Sequence, residues 1–135
     1  MKYAGEFELK RATDGSAGFD LYAGEDVVFQ PGESHLVGTG TRVAIPDGFV
    51  GLVFIRSSMA VKRGFQLQNA VGVIDADYRG EIKVALKNGG VQGTSVIRGE
   101  RIAQLLVVPF VGDVERVDTL EGTERGEGGF GSTGQ

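Results

Sequence analysis

Along most of the chain, hydrophobic and polar positions alternate with a period of two. Residues 81–87 place Ile82, Val84 and Leu86 on one face and Lys83 and Lys87 on the other, the pattern of a half-buried strand. Residues 49–55 and 102–110 are nearly continuous apolar runs, which read as strands buried on both faces. Shorter β-rich runs occur at 7–9, 19–22, 27–29, 35–37, 42–45, 70–74, 95–97 and 114–117. Turn signals separate them at Gln30-Pro31-Gly32-Glu33, Pro46-Asp47-Gly48, Tyr78-Arg79-Gly80 and Asn88-Gly89-Gly90. Many short strands at close spacing predict an all-β sandwich or jelly roll. One segment breaks the alternation. Residues 57–64 begin with two serines, end with Lys62 and Arg63 and are closed by Gly64. These are start, dipole-matching and stop signals for a single short helix.

Composition narrows the picture. A chain of 135 residues is sized for one domain able to bury its own core. Its 23 glycines, roughly a sixth of the chain against an average of about 7%, imply many turns. There is no cysteine and one histidine, His35. Disulfide frameworks, zinc fingers, thiol nucleophiles and multi-histidine metal sites are thereby excluded, and any metal would be a hard cation held by oxygens. No apolar run approaches the ~18 residues of a membrane span, and residues 1–6 lack an apolar signal segment. A net charge of −4 argues against a non-specific nucleic-acid binder. The default reading is a cytoplasmic protein with neither a membrane nor a nucleic-acid partner. Residues 121–135 differ from the rest, with six glycines and one large apolar side chain, Phe130. Such a segment builds no core of its own; it is either disordered or ordered by something it covers.

Five segments carry candidate chemistry. Arg56, Ser57 and Ser58 stand at the mouth of the helix, where a guanidinium, two hydroxyls and unpaired N–H groups suit phosphate oxygens; the alternative is an ordinary serine cap beside a surface arginine. Asp75 and Asp77 follow a strand and precede a turn, and in extended chain would point the same way. Such a carboxylate serves as a general base on water or holds a divalent cation, unless it only shapes an Asx turn. Gly72 before them signals a bulge or a close approach. Asp20, between Phe19 and Leu21, reads by alternation as an outward-facing, solvated carboxylate. Gln104 shares a strand face with Ile102 and Leu106, and its amide must find partners either within the sheet or at a polar site. In the tail, Gly126, Gly128 and Gly131 formally match G-x-G-x-x-G, but the strand and helix that motif needs are missing. What remains is glycine-rich backbone able to turn N–H groups onto phosphates, Arg125 for charge and Phe130 as a stacking face.

Taken together and in this order, residues 17–23, 56–64, 69–82, 101–109 and 125–134 resemble the five motifs of the trimeric dUTPases. The resemblance spans nearly the whole chain; five motifs in order are far more specific than any one. It implies an all-β, jelly-roll-like β-clip subunit with one short helix, and a homotrimer with active sites at the subunit interfaces. It also implies hydrolysis of dUTP to dUMP and pyrophosphate with Mg2+, a core over residues 1–120 and a flexible arm over 121–135 that closes the site. In such an enzyme Asp75 orients and deprotonates the attacking water. Tyr78 packs under the deoxyribose and excludes a 2′-hydroxyl. Asn69 and the backbone of Gly72, Val73 and Ile74 read the uracil edge, with Lys83 nearby. Arg56, Ser57 and Ser58 hold phosphates, Gln104 contacts the phosphate or catalytic-water region, and Asp20 holds Mg2+ through its water shell. Arg125, Phe130, Gly131, Ser132 and Thr133 belong to the closing arm, with Phe130 over the base. Two rivals remain at this level: a dCTP deaminase, which shares the fold and an Arg-Ser-Ser stretch, and a β-sandwich interaction module without catalysis.

Overall fold

The computed structural model describes residues 1–132 and 134. Among them are eleven strands and one helix. The strands are β1 (Lys2–Gly5), β2 (Phe19–Tyr22), β3 (Val27–Phe29), β4 (Ser34–Gly38), β5 (Thr41–Ala44), β6 (Phe49–Ile55), β7 (Phe65–Leu67), β8 (Gly72–Ile74), β9 (Lys83–Asn88), β10 (Thr94–Val96) and β11 (Arg101–Pro109), with α1 (Ser57–Arg63) between β6 and β7. They form a four-stranded sheet in the order β2-β11-β6-β8, a three-stranded sheet β4-β9-β7, and the two-stranded pairs β1-β5 and β10-β3. The pairings are all antiparallel. This is the β-rich architecture with one short helix that the alternation predicts.

The core forms where the inward faces of the sheets meet. Leu21, Val53 and Leu105 come from the four-stranded sheet, Val37, Leu67, Val84 and Leu86 from the three-stranded one, and Phe29, Val96 and Met59 fill the space between. Phe29 meets Phe65 edge-on at 5.2 Å between ring centroids, a favoured aromatic geometry. Strand β9 behaves as its sequence demands: Val84 and Leu86 are buried, as is Ile82 just before it, and Lys83 is exposed.

Three local expectations give way. The run 7–9 is not a strand; Phe7 instead stacks on Tyr22 at 5.1 Å. The run 114–117 is irregular, and Val114 is 95% exposed, because no strand of the same chain lies beside it. Residues 49–55 and 102–110 are buried on one face only: Val53 and Leu105 are in the core, whereas Leu52, Phe54, Leu106 and Val108 are half-exposed on the other side. The helix also starts differently. Arg56 is its N-cap residue, with no side-chain cap, and Ser57 is already helical. The stop signal holds, since Gly64 adopts the left-handed conformation and its N–H closes on Ala60.

Candidate active site

The two groups of candidate residues lie at opposite ends of β6. In the register of the four-stranded sheet, Ile74 lies opposite Gly51 and Gly72 opposite Val53. Asp75 therefore leaves the sheet near the Phe49–Val50 end. Arg56 follows Ile55 at the other end, where Phe54 pairs with Gln104 and Gln104 with Asp20. Gly51 and Arg56 are separated by about 17 Å at ~3.3 Å per residue.

At the first end, β8 is an edge strand, paired to β6 on one side only. Its outer row of backbone donors and acceptors is unpaired in the sheet, as the recognition of a base by main-chain groups requires. Gly72 does not make a bulge, as the register with β6 is unbroken. Its need is close approach: a Cβ there would stand 3.0 Å from Cβ of Val53. Ala70 precedes it with φ at 60°, a strained non-glycine conformation that bends the chain between Asn69 and β8. Beyond β8 the chain does not remain extended. The Tyr78 N–H donates to the Asp75 carbonyl at 3.1 Å, so Asp75 opens a turn. Arg79 pins this turn by donating to the carbonyls of Ala76 at 2.6 Å and Tyr78 at 3.1 Å, and Arg42 donates to the carbonyl of Arg79 at 3.2 Å.

The turn carries Asp75 to the wall shared by two cavities. One, of about 220 Å3, is lined by Val73, Ile74, Asp75, Tyr78 and Lys83 together with Glu81 and Ile82. Of the residues implied for base and sugar, Val73, Ile74, Tyr78 and Lys83 thus converge on one space, while Gly72 lies outside its lining and Asn69 sits exposed at the start of the same hairpin. The other, of about 440 Å3, lies between Asp75–Asp77 and the Asp47–Val50 turn, with Phe110 alongside. Among the described residues the Asp75 carboxylate makes no ion pair and no hydrogen bond.

At the second end the surroundings are different. Asp20 is buried, 7% exposed, which corrects its reading as a solvated carboxylate. Its side chain does leave the outer face of β2, but arginines from two other elements cover it. Arg56 Nε lies 3.4 Å from one carboxylate oxygen and Arg101 Nη1 3.4 Å from the other. Two guanidiniums against one carboxylate leave a net positive cluster. Gln104 Nε2 donates to the Ile55 carbonyl at 3.4 Å, so the amide is bonded within the sheet and also stands in this polar cluster. Gly18 makes the space for it: a Cβ there would come within 2.6 Å of Gln104 Oε1. Ser57 and Ser58 begin α1 immediately beside Arg56. Arg101, missed as a site residue, was identifiable only as the cation that opens β11.

The arm stands apart from both ends. Arg125 Nε donates to the Gly128 carbonyl at 2.6 Å and the Ser132 N–H to that of Gly129 at 3.1 Å, so these bonds are internal to the arm. The Phe130 side chain is fully exposed and its φ is 50°. Gly131 follows at φ 90°, and Thr133 lies outside the described residues.

A β-rich chain with a free carboxylate beside a base-sized cavity, and a guanidinium–hydroxyl cluster suited to phosphates, has the parts of a nucleotide hydrolase. A family model of dUTPase matches residues 8–134. The deoxyuridine 5'-triphosphate nucleotidohydrolase of Corynebacterium jeikeium is 52% identical over 130 residues, covering 93% of this chain and 84% of that protein. The one from Anaeromyxobacter is 49% identical over 130 residues, covering 95% and 88%. Among solved structures, a point variant of Staphylococcus bacteriophage 80alpha dUTPase with dUpNHpp superposes with a TM-score of 0.89 at 28% identity, over 99% of both chains. The Streptococcus mutans dUTPase does so with 0.75 at 36% identity, over 79% of this chain and 88% of that one. The chain belongs to the dUTPase family, enzymes that hydrolyse dUTP to dUMP and pyrophosphate.

Proposed function

We propose that dUTP is hydrolysed here by in-line attack of water at the α-phosphorus, in a site assembled between copies of the chain. The observation that carries this reading is the separation of the two ends of β6. One α-phosphorus cannot touch both Asp75 and the Arg56 cluster of the same chain across about 17 Å. Those ends are complementary: Asp47, Asp75 and Asp77 line one, Arg56 and Arg101 the other. A contact between unlike surfaces repeats head to tail and closes into a ring where its rotation allows, an arrangement in keeping with a homotrimer. The half-open apolar face of Leu52, Phe54, Leu106 and Val108, and the exposed Val111, Val114 and Leu120 leading into the arm, provide apolar surface for such contacts.

In this reading the cavity beside β8 takes the deoxyuridine. The edge of β8 and Asn69 meet the uracil, whose donor and acceptor pattern is the reverse of cytosine's, so that the wrong base leaves polar groups unpaired. Tyr78 lies against the deoxyribose, with Lys83 at the far wall. Asp75 accepts the proton of the attacking water as its oxygen bonds to phosphorus and the pyrophosphate oxygen leaves. Arg56, Ser57, Ser58 and Gln104 of another copy hold the phosphates and stabilise their charge. Residues 121–135 form the arm over a core of residues 1–120. Arg125, Gly131, Ser132 and Thr133 reach the phosphates and Phe130 covers the base, excluding water once substrate is bound.

The cation is proposed as Mg2+. Among the described residues no three metal-ligating side chains come together, and both Asp20 oxygens already face guanidiniums. A single carboxylate so engaged is no direct ligand; Asp20 would hold a hydrated Mg2+ through the ion's water shell. When bound, the ion offsets charge on the phosphates. The absence of cysteine suits a reducing, cytoplasmic setting, and no described helix is long and apolar enough to cross a membrane. The deciding experiment compares pyrophosphate release from dUTP, UTP, dTTP and dCTP, with light scattering for the mass. Turnover of dUTP alone by a trimer is expected; ammonia release from dCTP, or full activity in a monomer, would refute the reading.

A further inference from the structure

Gly80 follows the catalytic turn and has no role in the account above. Its φ is not among the positive values of the chain's glycines, so the backbone does not demand glycine here. Space does. A Cβ at position 80 would stand 2.5 Å from Cζ and 2.8 Å from Cε1 of Tyr78, and closer still to its Oη. The ring lies directly over Gly80, and the hydroxyl donates to the Glu81 carbonyl at 2.9 Å. Arg79 donates to the Tyr78 carbonyl at 3.1 Å. Tyr78 is 43% exposed and lines the cavity beside Asp75. Two constraints therefore place this wall of the cavity beside Asp75: the empty volume at Gly80 and the Glu81 carbonyl.

We propose that Gly80 is a specificity-determining positioning residue, whose missing side chain seats the Tyr78 ring where it closes the pocket against a 2′-hydroxyl. The inference rests on the reading that Tyr78 lies against the deoxyribose. Other close-packed glycines answer to the fold instead. A Cβ at Gly51 would come within 2.6 Å of Ile45 Cδ1 and 3.0 Å of Leu105 Cδ1, and one at Gly24 within 2.9 Å of the Gly38 carbonyl oxygen. At Gly80 the nearest atoms all belong to a half-exposed ring that swings away. Alanine there leaves the fold intact, turns the ring outward and makes room for a ribose.

The test measures kcat/KM for dUTP and for UTP in Gly80→Ala, Tyr78→Phe and Tyr78→Ala, with thermal melting and oligomer mass for each. Gly80→Ala is expected to melt like the parent while its preference for dUTP over UTP falls by about tenfold or more. Tyr78→Phe, which keeps the ring and loses the bond to Glu81, is expected to fall less, and Tyr78→Ala at least as far. A parental ratio in Gly80→Ala, with a reduced one in Tyr78→Ala, overturns the role of Gly80 and leaves the sugar reading of Tyr78 standing. Parental ratios in all three variants overturn that reading itself. A Gly80→Ala chain that fails to fold also overturns the proposal, since it shows that the added methyl meets more than a movable ring.

Discussion

Asp20 and Asp75 lie at opposite ends of one four-stranded sheet and meet opposite surroundings. Asp20 is buried, and each of its oxygens faces an arginine at 3.4 Å. Asp75 is exposed on a turn and has no partner among the described residues. The same functional group is thereby suited to two tasks. A carboxylate already occupied by guanidiniums organises positive charge for phosphates. One whose oxygens are free accepts a proton from water. In the proposed assembly the two tasks fall to different copies of the chain, because the two carboxylates belong to different ends of β6.

The sharpest way to break this contrast is Asp75→Asn, which keeps the shape and removes the base. Pyrophosphate release is expected to fall about 10³-fold, within the range for loss of general-base catalysis, while equilibrium binding of a non-hydrolysable dUTP analogue persists. An unchanged rate would remove Asp75 from the chemistry. Removing residues 126–135 tests whether the arm matters to either end. The truncated chain should retain its melting temperature and its number of subunits, because the core elements end at Pro109, yet lose roughly 100-fold in turnover through poorer positioning and water exclusion. Full activity in the truncation would contradict the closing role.

Asp20→Asn addresses the other half of the comparison. It leaves Arg56 and Arg101 without their shared anion, at a cost of about 1–3 kcal/mol, toward the lower end because the Arg101 side chain is 45% exposed. Activity should fall about 10–100-fold, as expected for a partner of a metal's water shell, with the required Mg2+ concentration raised. A loss of stability with an unaltered Mg2+ requirement would confine Asp20 to structure. The smallest effect lies away from both ends. The Gln30 N–H, at 3.1 Å, and the His35 ring, also at 3.1 Å, hold the Glu33 carboxyl below its ordinary 4.5. Glu33 therefore contributes stability that is fully present above 4.5 and is lost as pH falls through the lowered value. Melting curves from about pH 6 to about pH 3 should show a slightly shallower acid loss in Glu33→Gln.

Local pattern accounts for what was legible beforehand. Strand β6 has the very bounds that its apolar run predicts, β9 buries the residues its alternation selects, and Gly64 ends the helix where its freedom at positive φ is needed. Strand β1 was invisible because all four of its residues are exposed and no alternation marks it; only its pairing with β5 makes it a strand. Strand β7 is three residues long and directly follows the helix and its Gly64 stop; its Phe65 and Leu67, buried about an exposed Gln66, are too brief a run to be separated from the helix that precedes them. The run at 114–117 carries β propensity but has no neighbour within the chain, and propensity without a partner makes no sheet.

The chemistry divides along the same line. Residue types, their order along the chain and the turns between them are properties of neighbours in sequence, and they suffice for most of the strands, the one helix and the family. Which carboxylate is buried and how far Asp75 lies from Arg56 are set by register between strands distant in sequence. Ile74 meets Gly51, and Gln104 meets both Phe54 and Asp20, through backbone hydrogen bonds that no local pattern encodes. Burial and distance follow from those pairings, and with them the separation of the candidate residues to two ends of a sheet.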